Sequence, residues 1–337
     1  MVDPKRQKLN LPRIIAEAIA IEMDREEKIL VLGEDVGKIG GVFGTTRGLL
    51  TRFGEKRVRD MPISEMAFSG MGIGLSMAGY RPLVEIMFAD FIGVCFEQLL
   101  NAMSKIPYMS GGTVKIPMVV KTAAGSIGSA AQHSQCLWGT MAHLPGIQVI
   151  APSNPYDYKG LMASALDSDN PIIYMEHKRQ LIQDPETFLN DRPVPKERYT
   201  VPIGKASISL CGSDLTIVSA SAQVEEALAA AEVLSHHGIS AEVVDLRTIV
   251  PLDLETVIKS VTKTERLVIV DEDYRSFGLS GEIMARVHEE LDSSQLKQCI
   301  RHTMPDIPLP AARSLEDAIM PNRNSIADVC LDLAKKS

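Results

Sequence analysis

The sequence predicts an α/β protein made of two successive parallel-sheet domains. Three observations carry this prediction. Short apolar runs alternate with helical stretches through most of the chain, and parallel strands need such crossovers between them. The alternation fails once, between Gln180 and Thr200, where Pro185, Pro193 and Pro195 sit among charged residues, as in a surface linker. At 337 residues the chain also exceeds one ordinary core. The domains are therefore expected at residues 1–180 and 201–337, with 181–200 joining them.

The elements follow in order. Ile14, Ile15, Ala18, Ile19 and Met23 recur at helical spacing, and Pro12 suits a first helical turn. Residues 29–32 are a short apolar run ending at Gly33, which reads as a buried strand. A small-residue helix begins near Met66, followed by a strand at 82–87, a helix at 92–105 and a strand at 117–121. A strand at 147–151, a helix at 156–166 and a strand at 171–175 close the first unit. The second unit opens with strand 215–219 and continues as helix 224–236, strand 241–246, helix 252–261 and strand 266–271. Helix 281–291, strand 297–301 and a terminal helix near 326–335 complete it.

Composition narrows the function. Hydrophobic content of 45% with 23% charged residues is that of a folded globular chain. A net charge of -8 argues against a nucleic-acid partner, which requires a basic face. The longest apolar stretches are glycine-broken and too short for a bilayer, and residues 1–10 lack an apolar signal core. Five scattered cysteines without a C-x-x-C pair read as reduced thiols, so a cytoplasmic protein is expected. Cys136 lies near His133 in sequence, but core filler explains it better than a nucleophile.

Phosphate-binding loops are missing. Gly70, Gly72 and Gly74 follow a helix start rather than a strand, and no register gives G-x-G-x-x-G. Close backbone packing explains them better. Gly40, Gly41 and Gly44 form a glycine-rich loop without a Walker lysine. There is also no Gly-Asp-Gly with a downstream Asn, the pattern that holds Mg²⁺ and a diphosphate in thiamine enzymes.

Three motifs stand in order between Met61 and Gln135: Pro62-Ile63-Ser64-Glu65, Phe88-Ala89-Asp90-Phe91 and Ala131-Gln132-His133-Ser134-Gln135. Singly, they fit a helix cap, core aromatics at helical spacing and a core histidine. Together in an α/β chain they resemble the β subunits of thiamine diphosphate-dependent 2-oxo acid dehydrogenases, from about Ile14 to the C-terminus. Asp245-Leu246-Arg247-Thr248 and Ser280-Gly281-Glu282 extend the likeness. The fold it implies is a pyrimidine-binding domain followed by a transketolase C-terminal-like domain.

The resemblance also implies site roles. Thiamine diphosphate reacts once its thiazolium C2 gives a proton to its own 4′-imino group, and a carboxylic acid on ring nitrogen N1′ populates that tautomer. Glu65 matches that acid, and restricted water raises a glutamate pKa as the role requires. Phe91 matches the residue that stacks on the aminopyrimidine. His133 follows the small-residue segment 123–129, which suits close approach to a cofactor, and matches the imidazole that acts at the lipoyl sulfur. Glu34, at the end of the first strand, matches an acid of a polar tunnel between cofactors. A K⁺ held by the backbone carbonyls of Met118, Ala165, Ser168 and Asn170 is implied as well.

The implied partners are an α subunit that holds Mg²⁺ and the diphosphate in an α₂β₂ heterotetramer, and a lipoyl-bearing dihydrolipoyl acyltransferase. The implied reaction is decarboxylation of pyruvate, or cleavage of acetoin, with reductive acylation of the lipoyl group. Residues 88–98 and 152–157 look more like acetoin than typical pyruvate β subunits, so a small substrate is expected over branched-chain 2-oxo acids. Two alternatives remain open at this point: the C-terminal half of a split transketolase, and a non-catalytic assembly subunit.

Overall fold

The computed structural model describes residues 10–190 and 192–335. Residues 1–9, on which the absence of a signal core was argued, lie outside the described residues. The first unit comprises α1 (Leu11–Arg25), β1 (Ile29–Gly33), α2 (Leu49–Phe53), β2 (Val58–Asp60), α3 (Glu65–Met77) and β3 (Arg81–Phe88). It continues as α4 (Ser104–Met109), β4 (Val119–Ala124), α5 (Trp138–Ala142), β5 (Gln148–Ile150), α6 (Pro155–Asp167), β6 (Ile172–His177) and α7 (Lys178–Leu181). The second comprises β7 (Ser207–Leu210), β8 (Leu215–Ser219), α8 (Gln223–His236), β9 (Ala241–Asp245), β10 (Thr248–Val250), α9 (Leu254–Thr264) and β11 (Arg266–Tyr274). It ends with α10 (Leu279–Glu290), β12 (Gln298–Met304), α11 (Arg313–Ile319) and α12 (Arg323–Lys335).

The first sheet runs β10-β5-β6-β4-β3-β1-β2 and the second β12-β11-β8-β9-β7. Pairing is parallel except at β10 and β7, which close their sheets as antiparallel edges. Helices α1 and α6 pack together on one face of the first sheet, over Ile15, Ile19, Leu83 and Tyr174. Helix α3 covers the other face, and its apolar core runs on into the second unit through Val218, Leu246, Val257 and Ile269. One apolar cluster therefore spans the two units.

Local chemistry explains most elements. Asn10 caps α1 by accepting from the Arg13 amide, and Pro12 stands in the first turn where its missing N–H costs nothing. Asn154 does the same for α6 by accepting from Asp157 N. In α3, a Cβ on Gly72 would press to 2.8 Å from Val84, so that glycine lets the helix lie on β3. Gly70 and Gly74 lie on the opposite, open side.

One expectation is corrected in detail. The helix expected at 92–105 is instead a 3₁₀ turn (Ala89–Cys95), a π turn (Gln98–Met103) and then α4, which contains Pro107. Such tight and wide turns often shape functional edges. The stretch read as a linker is strapped to the first unit: Tyr199 stacks on Tyr156 at 4.5 Å, and Lys159 Nζ donates to the carbonyls of Pro195 and Lys196. Strand β10, from beyond residue 201, pairs back with β5 in the first sheet. No helix among the described residues is long and apolar enough to cross a membrane.

Candidate active site

In a parallel sheet the C-terminal strand ends leave carbonyls and loops free on one edge, where α/β sites gather. Four neighbouring strands end there at Gly33, Phe88, Ala124 and His177, with Phe88 opposite Ala123 and Ala124 opposite His177. The three motifs converge on this edge. Glu65 is the first residue of α3, next to the positive helix end, and is mostly buried. Ser64 stands at the cap position but makes no side-chain capping bond. Glu34 follows β1; desolvation, then the charges of Glu65 and Asp35, push its carboxyl above the usual range. Its Oε1 is buried without a hydrogen-bond partner.

Phe91 and His133 lie side by side, and a third ring joins them. Phe88, Phe91 and His133 form a triangle with centroids 5.4 to 5.5 Å apart, all edge to face. Phe88 ends β3 and Phe91 lies in the following 3₁₀ turn, so the spacing read as helical core is a strand-to-turn corner. Helix α3, which starts at Glu65, packs against that same turn. An acid, an unpartnered carboxylate oxygen and an aromatic wall thus line one edge. These groups fit an aminopyrimidine, which needs an acid at a ring nitrogen and an apolar surface for its face.

Behind this wall lie charged residues that the sequence reading did not single out. Lys178, fully buried, donates to the His133 carbonyl and stands 5.0 Å from the Phe88 ring centre. Asp90 accepts from Gln135 N and Nε2. His177 Nε2 lies 2.9 Å from Glu272 Oε2, and Glu272 also accepts from Ser126 N and Gln223 Nε2. His177 therefore pairs with the second unit. Lys121 on β4 bridges Glu85 on β3 at 2.8 Å and Glu176 on β6 at 3.1 Å. Burial pushes the Glu176 carboxyl up to about 7 even so. The available signal was the run Glu176-His177-Lys178 at the end of an apolar strand, since charges in such a place need partners.

Cys136, His177 and Glu272 are the one grouping among the described residues with metal-like proximity. Both His177 ring nitrogens are already used, Nδ1 accepting from Arg179 N and Nε2 facing Glu272. Burial holds the Cys136 thiol well above its ordinary range. The grouping fits a hydrogen-bonded pair beside a core cysteine, not a metal site.

The four carbonyls expected to hold K⁺ lie away from this edge. Met118 O accepts from Ile172 N and Ala165 O from Ser168 N. Arg81 donates to the carbonyls of Leu166 and Ser168 and to Asp169. The end of α6 thus attracts positive charge, and the chain supplies a guanidinium there itself.

Residues 7–183 match the model for the transketolase pyrimidine binding domain and residues 204–326 that for the transketolase C-terminal domain. The chain is 38% identical to the acetoin:2,6-dichlorophenolindophenol oxidoreductase subunit beta of Bacillus subtilis (strain 168), covering 96% of this chain and 97% of that one. It is 36% identical to the pyruvate dehydrogenase E1 component subunit beta of that organism (95% and 97% covered). To its 2-oxoisovalerate dehydrogenase subunit beta the identity is 39% (94% and 96%). A solved structure titled split gene transketolase, inactive beta4 tetramer, shares the fold at a TM-score of 0.77 and 21% identity, over 97% and 98% of the two chains.

Fold and site edge thus define a chain of transketolase architecture, with a pyrimidine-binding unit before a C-terminal unit. Within that class, the chain belongs to the family of β subunits of thiamine diphosphate-dependent 2-oxo acid and acetoin dehydrogenases.

Proposed function

We propose that this chain contributes the pyrimidine half of a thiamine diphosphate site, completed by an α subunit that holds Mg²⁺ and the diphosphate in an α₂β₂ heterotetramer. The observation that carries this reading is the edge shared by Glu65, the unpartnered Glu34 oxygen and the Phe88–Phe91–His133 triangle. Bound thiamine diphosphate would supply a nucleophilic carbon for the substrate carbonyl and a cationic thiazolium ring as the sink for the electron pair released when the adjacent C–C bond breaks. Glu65 holds the proton at pyrimidine N1′. Phe91 and Phe88 exclude water and orient the ring, and Glu34 accepts a polar hydrogen in the passage beside Glu65. His133 moves a proton at the incoming lipoyl sulfur of the acyltransferase. A K⁺ would be held by the backbone carbonyls of Met118, Ala165, Ser168 and Asn170, and would have to displace Arg81 from the Ser168 carbonyl.

The substrate is pyruvate or acetoin. The test is co-purification with the partner chain, then turnover of pyruvate, acetoin and 2-oxoisovalerate with thiamine diphosphate and lipoamide. Activity is expected only in the complex. Tight, Mg²⁺-dependent cofactor binding by the isolated chain overturns the half-site reading, and transfer of two-carbon units to a sugar phosphate in place of lipoamide overturns the reaction.

A further inference from the structure

The loop that carries His133 has little to hold its own shape. Residues 125–135 form no helix or strand and are mostly small, and Gly125, Gly128 and Ala130 all take positive φ. Its conformation is therefore imposed by contacts from other segments. Ser126 N donates to Glu272 Oε1 at 3.0 Å, and Gly128 N donates to Glu316 Oε2 at 2.9 Å. Gln135 Nε2 donates to Asp90 Oδ1 at 2.8 Å. The fourth anchor is Lys178, whose ammonium donates to the carbonyl of His133 itself.

Lys178 is joined to the other side of the site as well. Its Nζ stands 3.9 Å from Asp90 Oδ2, which has no hydrogen-bond partner, and Asp90 immediately precedes Phe91. One ammonium thus ties the segment bearing His133 to the segment bearing Phe91, whose rings are 5.5 Å apart. The charged and titratable groups around it come from several elements: Asp90 after β3, Cys136 in the following loop, Glu272 on β11 and Glu316 on α11. Burial pulls the ammonium below the ordinary lysine range, and the Asp90 charge is the largest effect opposing it. A fully buried ammonium is kept only where it is paired and hydrogen-bonded. Without it, the Asp90 carboxylate and the His133 carbonyl lose the cation that joins them.

We propose that Lys178, with Asp90 as its counter-ion, is the positioning residue that sets His133 against Phe91. The proposal rests on the thiamine-enzyme reading for its catalytic consequence, but not for the clamp itself. Lys178 touches no reacting atom and acts through the His133 backbone.

The clamp is tested first in the full chain without cofactor, by amide hydrogen exchange. Lys178→Met keeps length and apolar bulk while removing the charge. Exchange across residues 126–135 is expected to speed up by roughly tenfold or more, as follows from losing one charge-assisted hydrogen bond. The second readout uses the complex with its partner. Lys178→Met should lower lipoyl acylation by about 10- to 100-fold, the scale of a small misplacement. Proton exchange at the cofactor C2 should be retained, and Lys178→Met/His133→Ala should be no worse than His133→Ala alone. Unchanged amide exchange overturns the proposal, and so do losses that multiply in the double variant. If Lys178→Met does not assemble, Asp90→Asn is read by the same two measurements, with the same outcomes for and against. A wild-type complex inactive on all three substrates defeats the functional reading, while the amide exchange still decides the clamp.

Discussion

His177 Nε2 and Glu272 Oε2 lie 2.9 Å apart, and this contact joins the last residue of β6 to β11 of the second unit beneath the His133 loop. A Cβ on Gly125 would fall on the His177 imidazole, so the loop starts directly over the pair. The second unit thus helps to hold the loop of the candidate site through Glu272 and Glu316. Breaking the pair by His177→Ala should destabilise the chain by about 3–5 kcal/mol, the usual cost of stranding one buried charge. Denaturant unfolding of the purified variant checks this, and a loss below about 1 kcal/mol contradicts it.

Stability should peak on the mildly acidic side. Burial raises Asp245, Asp271 and Glu176 to about 7, against unfolded values of about 4. These groups bind more protons folded than unfolded, so their contribution is full below about pH 4 and is lost as pH rises through about 7. Glu272 acts oppositely: desolvation is its largest effect, but His177, Arg179 and Gln223 outweigh it and hold its carboxyl far below the usual range. Its contribution is present above the unfolded value of about 4.3 and falls away in stronger acid. Melting temperatures should therefore be higher at about pH 5.5 than at about pH 8. The reverse order rules out protonated buried carboxyls as the dominant effect.

Glu65→Gln should preserve assembly and lower turnover by roughly 10² to 10⁴, the range for losing a proton-transfer partner. Hydrogen–deuterium exchange at the cofactor C2 should slow in parallel. Exchange at the wild-type rate removes Glu65 from the tautomerising role.

His133→Ala should separate two steps. C2 exchange should stay near wild type, and acylation of lipoamide should fall much more than reduction of an artificial electron acceptor. Equal losses in both assays assign His133 to an earlier step.

Substrate preference is settled by kcat/KM on pyruvate, acetoin and 2-oxoisovalerate. Pyruvate or acetoin should lead, but only modestly, because a hydrophobic pocket separates such groups by about 1–3 kcal/mol. Identities of 38%, 36% and 39% to the three kinds of β subunit do not separate the substrates. Residues 152–157 also join the two units of the chain: Ser153 donates to Asp245, and Asp157 accepts from Arg247 Nε at 2.9 Å. A clear lead for 2-oxoisovalerate overturns the expected order.

The sequence by itself determined the succession of strands and helices, because period and composition are local properties that burial on a sheet face enforces. Strand Leu215–Ser219 was legible to the residue. It also singled out Glu65, Phe91 and His133 as candidates, since each stands in a short recognisable motif. The tertiary structure alone decided what those motifs meet. Phe88 joined the aromatic triangle because β3 ends at a turn rather than continuing into a helix. Lys178, Asp90, Glu272 and Glu316 became neighbours through strand order and the docking of the second unit, from positions up to 226 residues apart in the chain. Buried charges carry no periodic signal, and their partners are chosen by proximity in space, which a one-dimensional pattern does not encode.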